Sequence, residues 1–197
     1  FTDDTFAVGS SGMVGGHPSY DESYICYAWK AVSGKSAFGT YVGNGSGTGS
    51  KEITVGFRVG WIMVKRIDSG SGVGDWWIFD ASRNAFTPLN KRLFANKNNA
   101  EDLNTMFEFT DTSFKLRSSD NQVNGNNLNY VYMAFAGSYS DFITDFNDDG
   151  NIDSRVKASD TTGFSIVSYE GTGSATTIGH GLSAAPDMIM TKNRDTD

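Results

Sequence analysis

Cysteine, proline, basic side chains and long apolar runs are all scarce in this 197-residue chain, and each scarcity removes a class of answer. No apolar run approaches the roughly 20 residues that cross a bilayer, so no helical membrane insertion is expected. The single cysteine, Cys26, excludes an intrachain disulfide and leaves the redox compartment open. Sixteen Lys and Arg stand against 23 Asp and Glu, giving a net charge of −7. That balance argues against nucleic acid and against anionic membrane surfaces as partners. No window long enough for a helix repeats its apolar residues at 3.6 spacing. Nor is there an initiator Met or a signal peptide: the chain opens mid-phrase at FTDDTF and ends in TKNRDTD directly after an apolar run. A segment of something longer is expected.

What the chain does have is glycine and aromatic residues, 23 Gly and 13% Phe, Trp and Tyr. Gly-rich turns between short aromatic and β-branched runs point to an all-β protein, because such side chains suit a pleated surface.

The chain also repeats itself. With Phe6 placed on Phe114, Thr5, Phe6, Val8, Ser10 and Ser11 of TFAVGSS meet Ser113, Phe114, Leu116, Ser118 and Ser119 of SFKLRSS. After a polar turn two residues longer in the first copy, Tyr24, Ile25, Ala28 and Trp29 meet Tyr130, Val131, Ala134 and Phe135. Further on, YVGNGSG from Tyr41 matches YEGTGSA from Tyr169, and WIMVKR from Trp61 matches MIMTKN from Met188. Two independent pairs in consistent order predict the closing strands of one unit at 1–34 and a complete unit at 36–137. An acidic linker at 138–162 and the opening strands of a following unit at 163–197 complete the layout.

Within the complete unit the predicted strands are SAFGTYVG, KEITVGF, GWIMVKRI, DWWIFDA, MFEFT, SFKLRS and NYVYMAFA. Gly, Asn, Asp and Ser turns separate them. In YVYMAFA, Val131, Met133 and Phe135 share one face while Tyr130, Tyr132 and Ala134 share the other, and neither face is charged. Such a strand is central and covered above and below. The expected fold class is therefore all-β, with antiparallel β-sandwich units of jelly-roll or concanavalin-like type in tandem.

The run FGTYVGNGSGTGSKEITVGFRVGWIMVKR, with WWIFDASRN, NKRLFAN, FKLRSSD and YVYMAFA, resembles a repeated domain of marine bacteriophage structural proteins, tail fibres among them. GFSIVSYEGTGS and GHGLSAAPDMIMTKNR look like the opening of the alternating unit in those proteins. The resemblance implies a virion component presenting tandem β-sandwiches, with other virion proteins and copies of itself as partners. It carries no catalytic signature and no defined binding residues.

One stretch departs from strand-and-turn grammar: DFNDDGNIDSRV, from Asp145. With Asp145 at position 1 of a calcium loop, Asn147 falls at 3, Asp149 at 5, Gly150 at 6, Asn151 at 7 and Asp153 at 9. Position 8, Ile152, would anchor the loop. Position 12 should hold a bidentate acid and holds Val156, so closure would need Asp141 or Asp160. The same residues also form turns without metal. The donor spacing favours a structural Ca2+ that neutralises Asp145, Asp148, Asp149 and Asp153 and stiffens the linker.

Other candidates read as structure. His17 and His180 sit in separate Gly-rich turns and give no ligand pair. Cys26 aligns with Tyr132, so it is expected in a buried strand. Glu101 and Asp102 are adjacent acids in a polar loop, expected to be solvated rather than a glycosidase pair. Trp61, Trp76 and Trp77 could stack on sugars, but apolar strands place such residues in cores more often. No GxSxG elbow occurs, and neither GSGTGSK nor SGSGVGD has the GK[ST] ending followed by a helix that a phosphate loop needs.

The expected function is that of a non-enzymatic structural protein of a phage particle, in a tail fibre or related appendage, with loop tips adhering to host-surface glycan. Capsid decoration without a ligand is the first alternative, and a glycan depolymerase the second.

Overall fold

The structure, a computed structural model, describes residues 5–8, 23–68, 74–83, 88–137 and 145–195. The chain divides into two units, Phe1–Lys30 and Ala31–Asp197.

The larger unit is built of antiparallel strands, with no helix among the described residues. Eight of them, β1 (Ser36–Val42), β2 (Glu52–Thr54), β3 (Val59–Arg66), β4 (Trp77–Asp80), β5 (Leu89–Phe94), β6 (Asp102–Phe109), β7 (Ser113–Leu116) and β8 (Asn129–Ala136), form one sheet. Its order is β1-β8-β3-β4-β5-β6-β7-β2. The first and last strands in that order are neighbours in the chain, joined by the loop 43–51, so the sheet curls until it is nearly a barrel. Aromatic side chains fill the inside. Tyr41 of β1 meets Phe114 of β7 at 6.1 Å between ring centroids, Phe114 meets Tyr132 at 5.2 Å, and Phe79 meets Phe107 at 5.0 Å.

β8 explains the arrangement. It pairs with β1 on one edge, Tyr41 opposite Tyr130, and with β3 on the other, Met63 opposite Met133. Tyr130, Tyr132 and Ala134 face the aromatic interior. Met133 and Phe135 face outward and pack with Trp61, Ile78 and Leu93 into a second apolar cluster. That cluster is roofed by a three-stranded sheet of β9 (Asp145–Asn147), β10 (Ser154–Ser159) and β11 (Phe164–Tyr169). Phe164 of β11 stacks on Phe135 at 4.8 Å and lies 5.9 Å from Trp61. The two-sided apolar pattern of YVYMAFA is thus met on both sides.

Each of the seven predicted strands is present. β5 was not among them, and it changes the architecture. It pairs with β4 through Phe94 and Leu93 and with β6 through Leu89, Lys91 and Arg92, with a register shift after Leu89. By crossing from one half to the other, β5 makes one continuous curled sheet where two separate layers were expected. Its charges hid it: Arg92 lies over the rings of Trp77 (4.1 Å) and Phe94 (4.7 Å) and pairs with Asp102, so a cation caps apolar surface.

At the end of β8 the sheet needs two glycines. A Cβ on Gly60 would come within 2.5 Å of the Gly137 backbone, where β3 carries its register shift.

The stretch expected as a linker, 138–162, carries the strands β9 and β10 from Asp145 onward, and the β10–β11 hairpin crosses the expected boundary at 162/163. The physical reason is burial: Val156, among the acids, is 6% exposed.

In the smaller unit, Tyr24–Lys30 forms no strand, and Cys26 is exposed where burial was expected. Phe6 is 50% exposed, whereas its counterpart Phe114 is fully buried. A β8-type strand requires a β1-type and a β3-type neighbour, and in the larger unit β8 already occupies both.

The opening between β1 and β2 is closed by polar contacts. Asn124, fully buried, donates from Nδ2 to Asn44 Oδ1 (3.0 Å), Ser46 O (2.9 Å) and Ser118 O (2.9 Å). Its Oδ1 accepts from Asn44 N at 2.9 Å. Tyr41 Oη donates to Val123 O at 2.7 Å, and Tyr130 Oη donates to Asn121 O and accepts from Gly125 N. Asn124→Ala removes the hydrogen bonds to Asn44, Ser46 and Ser118 together, so chemical denaturation should show a loss of about 2–3 kcal/mol. A loss below about 0.5 kcal/mol, the range of surface changes, would show that the loop is closed by other means.

Candidate functional site

Three places carry polar chemistry on this frame. The first is the turn of the β9–β10 hairpin. Asp145 and Asn147 lie on β9, and Asp149, Asn151 and Asp153 lie in the turn that follows. Asn147 and Asp149 are brought together, with Asn147 Nδ2 donating to Asp149 Oδ2 and Asp149 N donating to Asn147 Oδ1, both at 3.1 Å. Asn151 Oδ1 accepts from Thr177 Oγ1 at 3.0 Å, and Asn151 N donates to Thr177 O at 2.9 Å. Gly150 is required here because a Cβ would stand 2.4 Å from Thr177 O.

Against an EF-hand-like loop, the turn agrees in its alternating oxygens and departs at two points. Position 12, Val156, pairs with Asp145 across the hairpin and is buried, so it closes the turn by packing. Asp160 cannot replace it. It sits beyond the far end of β10, roughly 20 Å along an extended strand, where its Oδ1 accepts from Ser183 N at 2.8 Å. Those hydrogen bonds with Ser183 hold the Asp160 carboxyl below its ordinary pKa. Asp141 lies outside the described residues. Among the described residues no three His, Cys, Asp or Glu side chains gather as a metal site.

The second place is an ion network beside β4 and β6. Asp80 and Glu101 both pair with Arg83, and Glu101 also receives a two-pronged contact from Arg194, Nη2 to Oε1 at 2.9 Å and Nε to Oε2 at 3.0 Å. Glu101 was expected to be solvated. Its side chain is 12% exposed, because Arg194 from the C-terminal stretch lies over it and Glu101 N donates to Arg194 O. Burial pushes the Glu101 carboxyl up, but the hydrogen bonds from Arg194 and the charge of Arg83 outweigh it, and its pKa is lowered from 4.5. Asp102 opens β6 and pairs with Arg92, so the two adjacent acids serve different cations.

The third place is the loop end held by Asn124, where Asn44, Thr48 and Asn126 are exposed on a closed rim. Sequence reasoning passed over it. The signal available was the pairing of two Gly/Asn-rich turns, GNGSGTGS and DNQVNGNN, at opposite ends of one unit.

The remaining candidates fall into structural roles. Trp61 and Trp77 are buried, and Trp76 is half-exposed with Lys65 Nζ 5.5 Å from its ring. His180 Nδ1 accepts from Leu182 N at 3.1 Å, as a turn residue does. His17 lies outside the described residues. A cavity of about 180 Å3 separates the two sheets near Ser82, Lys157 and Phe164, below the several hundred cubic ångströms of small-molecule sites.

A family described as a domain of unknown function, DUF7483, matches residues 1–138 and 143–197. The chain belongs to the DUF7483 family. No curated protein and no solved structure matches it.

The Glu101 network has a pH signature. With its folded pKa below 4.5, Glu101 contributes fully above that value, and the contribution is lost as pH falls through the lowered folded value. Glu101→Gln should lower stability at neutral pH by about 1–3 kcal/mol and shrink the acid-side loss. Melting curves between pH 3 and 7 that superimpose for the two proteins would contradict this.

Proposed function

We propose that this DUF7483 chain is a non-enzymatic structural segment of a bacteriophage particle, in a tail fibre or related appendage. Its units are jelly-roll-like β-sandwich derivatives set in tandem. Its partners are other virion proteins and further copies of itself, and its loop ends contact host-surface glycan. The observation that carries this reading is the use of the outer sheet face: Trp61 and Phe135 serve as a seat for Phe164, on the strand that leads into YEGTGSA, the match of YVGNGSG. Stacking one sheet on the outside of the previous barrel is a way to extend a rigid rod. The resemblance to phage appendage domains supports the same reading, and the loop end held by Asn124 supplies the exposed, well-anchored rim on which recognition is commonly built.

Ca2+ at Asp145, Asn147, Asp149, Asn151 and Asp153 belongs to the proposal as a structural ion. It would neutralise a crowded acidic turn and fix the β9–β10 hairpin, with Val156 packing where an acid closes an EF-hand.

Two measurements test these points. On a glycan array the full chain should bind host-type polysaccharide, and Thr48→Ala with Asn126→Ala should weaken binding tenfold or more without changing the melting temperature. Silence on the array favours capsid decoration, and release of reducing ends establishes a depolymerase. For the ion, millimolar Ca2+ should raise the melting temperature, and Asp145→Ala with Asp149→Ala should abolish the rise. An unchanged melting temperature retires the metal.

A further inference from the structure

Asparagine followed by glycine is prone to lose its side-chain amide, because the glycine N–H, with no Cβ beside it, can reach the preceding side-chain carbonyl. The chain has two such pairs, Asn44-Gly45 and Asn124-Gly125, and the fold sets them against each other. Asn44 N donates to Asn124 Oδ1 at 2.9 Å, Asn124 Nδ2 donates to Asn44 Oδ1 at 3.0 Å, and Gly45 N donates to Asn124 O at 2.9 Å. Gly125 N, the group that would attack Asn124, donates to Tyr130 Oη at 2.7 Å. Both reactive amides are thus held by other acceptors.

The turns need both glycines. Gly45 has a φ of +68°, and a Cβ on Gly125 would stand 2.4 Å from Leu128 Cδ1 and 2.5 Å from Asn121 Oδ1. The reactive sequence therefore comes with the geometry of the loop end.

The two sites differ in what the reaction would do. Asn44 is exposed, and an aspartate there keeps an oxygen for Ser46 N and Asn124 Nδ2. It loses only the donation from Asn44 Nδ2 to Ser50 Oγ. Asn124 is fully buried, and its Nδ2 donates to three oxygens, Asn44 Oδ1, Ser46 O and Ser118 O. An aspartate there turns a carboxylate oxygen toward three acceptors, and a buried charge so placed is strongly unfavourable.

We infer that Asn124-Gly125 is a modification site guarded by the closed loop end, and that its deamidation is a one-way switch of that loop end. While the loop end is closed, Gly125 N stays on Tyr130 and the reaction is blocked. When it opens, Gly125 N attacks Asn124 Cγ. The N–Cγ bond forms, the Cγ–Nδ2 bond breaks, and the glycine amide proton leaves with Nδ2 as ammonia. Water then opens the resulting imide at either carbonyl, giving aspartate or, with the main chain rerouted through Cγ, isoaspartate. Neither product can make the three donated bonds again, so the loop end does not reclose, and the rim residues Asn44 and Thr48 lose their anchor. The inference needs only the loop end itself and does not rest on the proposed phage role.

The test follows both sites in the full chain by peptide mass spectrometry during incubation at mildly alkaline pH, folded and in urea. In urea the two pairs should react at comparable rates. In the folded chain Asn124 should react at least tenfold slower than in urea, because only the open fraction reacts. Tyr130→Phe, which releases Gly125 N, should raise the folded-state rate at Asn124 more than at Asn44. The product mimic Asn124→Asp should melt below Asn124→Ala, since alanine removes the donor whereas aspartate opposes the three acceptors. Asn44→Asp should melt close to the unsubstituted chain. An Asn124→Asp chain that does not fold, beside a folded Asn124→Ala, is the extreme form of the same result. Equal Asn124 rates in the folded chain and in urea overturn the guarding. An Asn124→Asp chain that melts with or above Asn124→Ala overturns the switch.

Discussion

A strand that is apolar on both faces has to be roofed twice, and Asn129–Ala136 meets that demand only by lying between β1 and β3 with a layer on each side. Tyr130, Tyr132 and Ala134 turn inward to the aromatic interior, and Met133 and Phe135 turn outward to Trp61 and Phe164. The rest of the larger unit follows from covering both faces. The inner face is covered by curling the same sheet until β7 meets β1. The outer face is covered by the β9–β11 sheet. A fully buried Phe or Leu is worth about 1.5–3 kcal/mol relative to exposure, so a strand lined with such residues cannot be left open on either side at small cost.

Curling creates a second problem, because a nearly closed barrel leaves polar backbone where its two end strands approach. The chain solves this with side chains that have no freedom to do otherwise. Asn124 satisfies donors and acceptors from both sides of the gap, and Tyr41 and Tyr130 each place a hydroxyl on backbone from the 121–125 turn. Burial pushes all three inner tyrosines, Tyr41, Tyr130 and Tyr132, above their ordinary pKa. The loop end is therefore rigid from beneath while Asn44, Thr48 and Asn126 remain exposed above it. That combination joins the packing of the interior to the proposed use of the rim.

Much of this was legible because alternation in strands has an unambiguous period. NYVYMAFA announces two apolar faces, and the structure provides two apolar clusters. What escaped were features in which charge is used against expectation. β5 reads as a polar segment because Lys91 and Arg92 interrupt it, yet Arg92 caps the rings of Trp77 and Phe94. Glu101 reads as solvated because its neighbours are Asn and Lys, yet Arg194, 93 residues away, covers it. The acidic stretch after residue 138 reads as a linker because its Asp, Asn and Ser residues break up its apolar ones, yet Val156 is buried in the β9–β11 sheet. Cys26 fails for another reason: its local sequence matches a buried strand, and burial belongs to the neighbours rather than to the strand. Sequence similarity between repeats predicts what a segment can pair with, and only the available partners decide whether it does.

Hydrogen exchange tests the double covering of β8 most directly. If both faces are roofed, the amides of Val131–Phe135 should exchange only through global unfolding, at the slowest rates in the chain and with the denaturant dependence of complete unfolding. Exchange of those amides at the rates of the short strand Asp145–Asn147, with little denaturant dependence, would mean that β8 opens locally and that the sheet is organised around some other strand.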